Sequence, residues 1–218
     1  MQTDLSRPVV LATANPKKIS ELRAIFAELG LAIESLAEIH TGTTEPEETG
    51  TTFEQNATIK ASGYARQTGR VCLADDSGLE VDALAGAPGV ISSHYCTDGA
   101  ETGMSRAERD AANNTKLMQK LGDRAPSERT ARFVCVMVLA SPDGTVHATA
   151  QGTFEGAIGL PEDVPRGGGG FGYDPLFLVA PELVHTSAEL GSTNKNRLSH
   201  RGKAARSMAE AIAAMRSE

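Results

Sequence analysis

Two adjacent carboxylates stand directly behind a short apolar run: Val71-Cys72-Leu73-Ala74 leads into Asp75-Asp76-Ser77-Gly78. A run of that length bounded by turn residues reads as a buried strand, and the acids mark where it is expected to stop. A buried, unpaired carboxylate either destabilises a fold or takes up a proton, so the pair calls for water, a cation or a partner base nearby. In open α/β sheets the strand ends are also where ligands bind. The same residues suit an Asx-type turn closed by Gly78, and the segment alone leaves both readings open.

The flanking chain supplies the pattern such a sheet needs. Residues 8–13 form a short apolar strand candidate followed at once by Ala14-Asn15-Pro16-Lys17-Lys18. Asn15 is a good N-cap and Pro16 suits the first helical position, where its missing N–H would have had no partner. Ile19, Leu22, Ile25, Phe26 and Leu29 then recur at helical spacing up to Gly30. Lys17 and Lys18 occupy the first turn, where the helix dipole disfavours cations. An anion at that helix start offsets the conflict; two solvated lysines are the plain alternative.

A further strand is expected over residues 31–36, and then an acidic loop runs from Glu45 to Thr52. Beyond it Phe53, Ala57, Lys60, Ala61 and Tyr64 keep helical spacing to Gly69, with Thr52 as cap. Glu47 and Glu48 complement the dipole of that helix, or, joined with Asp75 and Asp76, supply the oxygen donors that a hard cation such as Mg²⁺ prefers. Residues 79–84 alternate with period two, a helix is expected from about Ser105 to Leu121, and residues 131–139 are rich in β-formers. Pro142-Asp143-Gly144 turns that strand into a partner over residues 145–154. Strands joined as a hairpin beside strand–helix units indicate a mixed sheet.

Gly167-Gly168-Gly169-Gly170-Phe171-Gly172-Tyr173-Asp174-Pro175 is the least ordinary segment. Four glycines lose much conformational freedom on ordering, which close backbone approach to a ligand would explain. Phe171 and Tyr173 offer ring faces to a nucleobase and Asp174 an acceptor, or the aromatics simply anchor a loop. Near the C-terminus, residues 192–203 are basic, with Lys195, His200 and Arg201, before the apolar stripe Ala204, Met208, Ile212 and Met215 of a last helix.

A formal net charge of −7 argues against a broad basic face for a nucleic acid polymer and leaves room for a small anionic ligand. Cys72, Cys96 and Cys135 lack metal-type spacing and read as free thiols of a reducing cytosol. With no signal-like N-terminus and no apolar run long enough to span a bilayer, no membrane is expected and a cytoplasmic location is. The 218 residues, 40% hydrophobic, suffice for one domain over residues 1–218.

Six blocks, in order, resemble the signature of the Ham1-like inosine/xanthosine triphosphate pyrophosphatases. They are Thr13-Ala14-Asn15-Pro16-Lys17-Lys18, Glu47-Glu48-Thr49-Gly50, Ala74-Asp75-Asp76-Ser77-Gly78-Leu79, Gly86-Ala87-Pro88-Gly89, Phe171-Gly172-Tyr173-Asp174-Pro175 and Ser199-His200-Arg201-Gly202. The resemblance implies an elongated mixed sheet flanked by helices, two lobes around a central nucleotide cleft, and a cytosolic homodimer. It also implies Mg²⁺-dependent hydrolysis of ITP, dITP and XTP to the monophosphate and pyrophosphate.

Carried over residue by residue, it makes Asp76 the proton acceptor and a metal ligand, with Glu48 and Glu47 completing the cation site. Thr13, Ala14, Asn15, Pro16, Lys17, Lys18 and Ser77 would hold the triphosphate. Phe171, Gly172, Tyr173, Asp174, Lys195, His200 and Arg201 would enclose the base.

Overall fold

The computed structural model describes residues 7–39 and 42–217; residues 1–6, part of the N-terminus in which no signal segment is expected, lie outside them. Within the described residues six strands, β1 (Val9–Leu11), β2 (Ile33–Ser35), β3 (Cys72–Val81), β4 (Thr130–Ala140), β5 (Val146–Ile158) and β6 (Phe177–Val179), join in the order β2-β1-β3-β4-β5-β6. β1 pairs in parallel with β2 and β3, whereas β5 and β6 are antiparallel, so the sheet is mixed. Among the described residues five α-helices accompany it: α1 (Pro16–Glu28), α2 (Phe53–Thr68), α3 (Arg106–Leu121), α4 (Ser192–Leu198) and α5 (His200–Arg216). No described helix is long and apolar enough to cross a membrane.

The chain forms two compact units. The first comprises Met1–Asp76, Cys135–Gly152 and His200–Glu218. Its core packs Leu22, Ile25 and Phe26 of α1 and Met208 and Ile212 of α5 with Leu11, Leu73, Met137 and Leu139 of the strands. The helix starts are built as their sequences predict. Asn15 Oδ1 accepts from the N–H groups of Lys17 (3.1 Å) and Lys18 (3.4 Å), satisfying donors that the helix itself leaves unpaired. Thr52 Oγ1 accepts from Gln55 N–H at 3.2 Å, and α2 ends at Gly69 in the left-handed region that glycine adopts without strain.

The second unit comprises Ser77–Val134 and Thr153–Ser199. Phe133, Phe154 and Phe177 form its centre, with ring centroids 4.7 and 5.5 Å from Phe177, and Leu117 and Leu121 of α3 pack against them. Ser105 and Glu108 cap α3 reciprocally. Arg129 is wholly buried yet, among the described residues, donates only to neutral acceptors, the carbonyls of Ile158 (2.9 Å), Gly159 (3.0 Å) and Gly122 (3.1 Å) and the Met118 sulfur.

The expected strand stop is overturned. β3 runs on through Asp75, Asp76, Ser77 and Gly78 to Val81, so the turn reading falls as well; only Asp82–Leu84 coil, into a 3-10 turn. The acids do not end the strand because each meets cations. Successive side chains of a strand point to opposite faces, and Asp75 and Asp76 accordingly meet different helices. Gly89–Thr97 forms 3-10 turns interrupted by non-helical backbone at Ile91 and His94.

Candidate functional site

Asp75 and Asp76 organise the first unit. Asp75 is 2% exposed; its Oδ2 lies 2.9 Å from Lys18 Nζ of α1 and 3.5 Å from Arg201 Nε of α5, and the Cys135 thiol points to the same oxygen. Burial works to raise the pKa of this carboxyl, but the charges of Lys18, Arg201 and Lys60 overcome it and hold the group well below the usual carboxylate range. Arg201 in turn sits 2.6 Å from Glu21 Oε2 of α1. Expected as a donor to a base, it is 2% exposed and has its Nη1 and Nε on carboxylates.

Asp76 faces α2. Lys60 Nζ lies 2.9 Å from its Oδ1 and 3.2 Å from Glu48 Oε2, and Asn56 Nδ2 donates to Asp76 Oδ2 at 3.4 Å. Burial raises the Asp76 carboxyl above its ordinary value, with Lys60 and Lys18 working the other way and Glu48 adding to the rise. For Lys60, burial favours the neutral amine, but Asp76, Glu48 and Asp75 outweigh it and push its pKa up. Asn56 also accepts from Gly50 N–H at 2.8 Å, and Gln55 Oε1 from Thr51 N–H at 2.8 Å, so the acidic loop is fastened to the start of α2.

Lys60 was absent from the expected site, although the sequence carries a signal for it. It is a lysine on the apolar stripe of α2, where an ammonium is buried only if carboxylates receive it.

Among the described residues no three His, Cys, Asp or Glu side chains converge as a metal cage. What converges is a pair of carboxylates, Asp76 and Glu48, on one cation. That donor set fits Mg²⁺, which is commonly bound by one or two carboxylates, its own waters and substrate phosphates. Glu47 is exposed. In the β1–α1 loop, Thr13 Oγ1 accepts from Asn15 N–H at 3.2 Å, Ala14, Pro16 and Lys17 are exposed, and Lys18 is half-buried beside Asp75. His200 is buried at the start of α5.

The remaining expected residues belong to the second unit. Ser77 is half-buried in β3. Asp174 accepts from Lys195 Nζ (2.6 Å), Ser187 Oγ (2.7 Å) and Phe171 N–H (2.7 Å), which fixes the loop that carries Phe171. The Tyr173 ring does not provide the expected face for a base. It is 4% exposed in the core and its hydroxyl donates to Ser92 O at 2.8 Å, as a buried phenol must find a partner. Phe171, half-buried, is the ring left accessible.

Two of the glycines before it answer to the protein itself. A Cβ at Gly167, whose φ is +81°, would meet the Ala188 backbone, and one at Gly170, at +74°, would run into Asp174 and Lys195. The three cysteines are free thiols.

The chain matches the Ham1 family over residues 9–211. It is 45% identical over 204 residues to the dITP/XTP pyrophosphatase of Exiguobacterium sibiricum, covering 94% of this chain and 96% of that one. The dITP/XTP pyrophosphatase of Thermus thermophilus is 48% identical over 204 residues, with 93% of this chain and 90% of the relative covered. Among solved structures, a HAM1 protein from Coxiella burnetii matches with a TM-score of 0.79 and 37% identity over 95% of this chain and 98% of its own. The Staphylococcus aureus Ham1 protein matches with a TM-score of 0.77 and 36% identity, covering 95% and 99%.

Proposed function

The chain belongs to the Ham1 family, and from that premise we propose that it hydrolyses ITP, dITP and XTP to the nucleoside monophosphate and pyrophosphate, clearing them from the nucleotide pool. The observation that carries the reading is the meeting of Asp76 and Glu48 on Lys60, in the unit whose α1 starts with Lys17 and Lys18. A protein that only bound a polyanion would gain nothing from carboxylates near phosphates; one that activates water and holds a cation needs them.

In this reading Asp76 accepts the proton of the attacking water. Oxygen attacks the α-phosphorus, the bond from that phosphorus to the bridging oxygen breaks, and pyrophosphate leaves. The raised pKa of Asp76 makes it a stronger proton acceptor than an ordinary carboxylate. Asp76 and Glu48, with Glu47 nearby in sequence, would hold Mg²⁺, which when bound neutralises charge on the phosphates.

Thr13 and Asn15 of the β1–α1 loop serve phosphate oxygens, with Lys17 and Lys18 adding charge and Ser77 a hydroxyl. Phe171 stacks on the base. A donor from His200 suits the O6 acceptor of hypoxanthine and xanthine, which adenine's amine does not offer, while Arg201, engaged by Glu21 and Asp75, holds the start of α5. A cytoplasmic homodimer completes the proposal.

Product analysis tests it: ITP, XTP, dITP, GTP and ATP are supplied with and without Mg²⁺. Metal-dependent pyrophosphate from ITP, dITP and XTP, with little from ATP or GTP, is the expected result. Diphosphate plus phosphate would move the attack to another phosphorus, and binding without turnover would replace the enzyme by a regulator. Light scattering tests the dimer.

A further inference from the structure

α3 presents three side chains at successive turns, Arg106, Asp110 and Asn114, to the loop that carries Phe171. Gly172 is held at both backbone groups: its N–H donates to Asp110 Oδ2 at 3.1 Å and its carbonyl accepts from Asn114 Nδ2 at 3.2 Å. Above these contacts, the Arg106 guanidinium carbon lies 4.8 Å from the centroid of the Phe171 ring. Lys195 Nζ is 5.7 Å from the same centroid.

The two cations differ in how they are neutralised. Lys195 is in direct contact with Asp174, at 2.6 Å. Arg106 Nε stands 3.9 Å from Asp110 Oδ2, the oxygen that already accepts from Gly172, and that nitrogen makes no hydrogen bond among the described residues. The charged groups around the ring are therefore Arg106 and Asp110 from α3, Lys195 from α4 and Asp174 from the loop. Arg106 is the least compensated cation among them.

We infer that Arg106 is a specificity-determining residue that favours a purine base carrying negative charge, xanthine over hypoxanthine. The inference rests on the reading of Phe171 as the platform for the base. Xanthine carries carbonyls at both positions 2 and 6, and in its nucleoside a ring N–H ionises below neutrality, spreading charge over the ring. Hypoxanthine has one carbonyl and stays neutral there. A guanidinium held over the ring on which the base stacks attracts the anion electrostatically, whereas with the neutral base it gains stacking alone. For a partly exposed cation the difference amounts to about tenfold in kcat/KM.

The test compares kcat/KM for XTP and ITP in the wild type, R106A and R106K, above and below the pH at which xanthine takes up its proton. In the wild type the XTP-to-ITP ratio falls on acidification. In R106A the neutral-pH ratio falls about tenfold and its pH dependence weakens, while R106K, which keeps the charge, retains at least half of the preference. Equal loss for both substrates in R106A would assign Arg106 to mere support of the loop and overturn the inference. So would an unchanged ratio, or R106K behaving like R106A. A wild type that hydrolyses neither substrate overturns the proposed function itself, and the inference with it.

Discussion

The ammonium of Lys60 lies 2.9 Å from Asp76 Oδ1 and 3.2 Å from Glu48 Oε2, with the lysine side chain only 8% exposed. One buried cation thus gathers the two carboxylates to which turnover is assigned. Breaking a buried pair by removing one partner leaves an uncompensated charge, and K60M is expected to destabilise the fold by about 3 kcal/mol. Added Mg²⁺ should restore part of that loss by standing in for the ammonium. Urea unfolding with and without Mg²⁺ reads both effects. Unchanged stability in K60M would mean that solvent already compensates the two acids.

Replacing Asp76 by Asn keeps the shape and the strand but removes the base. Turnover should fall on the order of 100-fold or more, as loss of general base catalysis does, while nucleotide affinity stays within about tenfold. Steady-state kinetics set against equilibrium binding of the same nucleotide separates the two. Full activity in D76N would assign the proton to another group.

The local elements were legible because their signals are local. Asn15 with Pro16 marks the start of α1, and Thr52 and Gly69 the two ends of α2, by groups whose partners lie within a few residues. The course of β3 through Asp75 and Asp76 was not legible, since their counter-charges arrive from α1, α2 and α5, far away in the chain. Among the site residues, the acids and the loop before α1 could be read from residue type and position. That Tyr173 is core while Phe171 is accessible depends on which ring finds Ser92 O, a tertiary fact. Lys60 lay between these cases: its place on an apolar stripe was visible, but its partners were not.

Asp75 gives the fold a defined acid sensitivity. Its folded-state pKa lies below the unfolded value, so between the two the unfolded chain binds more protons and stability falls with falling pH. The contribution is complete above the unfolded value, about 3.9, and is lost as pH drops below it. D75N, which leaves Lys18 and Arg201 without that counter-charge, is expected to be less stable at neutral pH by about 3 kcal/mol. The gap to the wild type should close below about pH 4. Unfolding midpoints across that range check the sign; a gap that widens on acidification would contradict the ion pairs.

Gly152 of β5 lies so close to the start of α5 that a Cβ there would run into the His200 carbonyl oxygen, the Ala204 nitrogen and the Lys203 side chain. Two of those three atoms are backbone, so relief requires the helix to move rather than a rotamer to change. G152A should therefore destabilise by about 1–3 kcal/mol, the range for overpacking a tight site. Because α5 begins with His200 and Arg201, the shift should also weaken substrate binding, raising KM more than it lowers kcat. Gly168, around which nothing lies within 4 Å, provides the contrast: G168A should leave both stability and KM close to wild type. Thermal unfolding and ITP kinetics on the two variants decide the matter. Equal tolerance of both substitutions would show that α5 is not held against β5 at this contact.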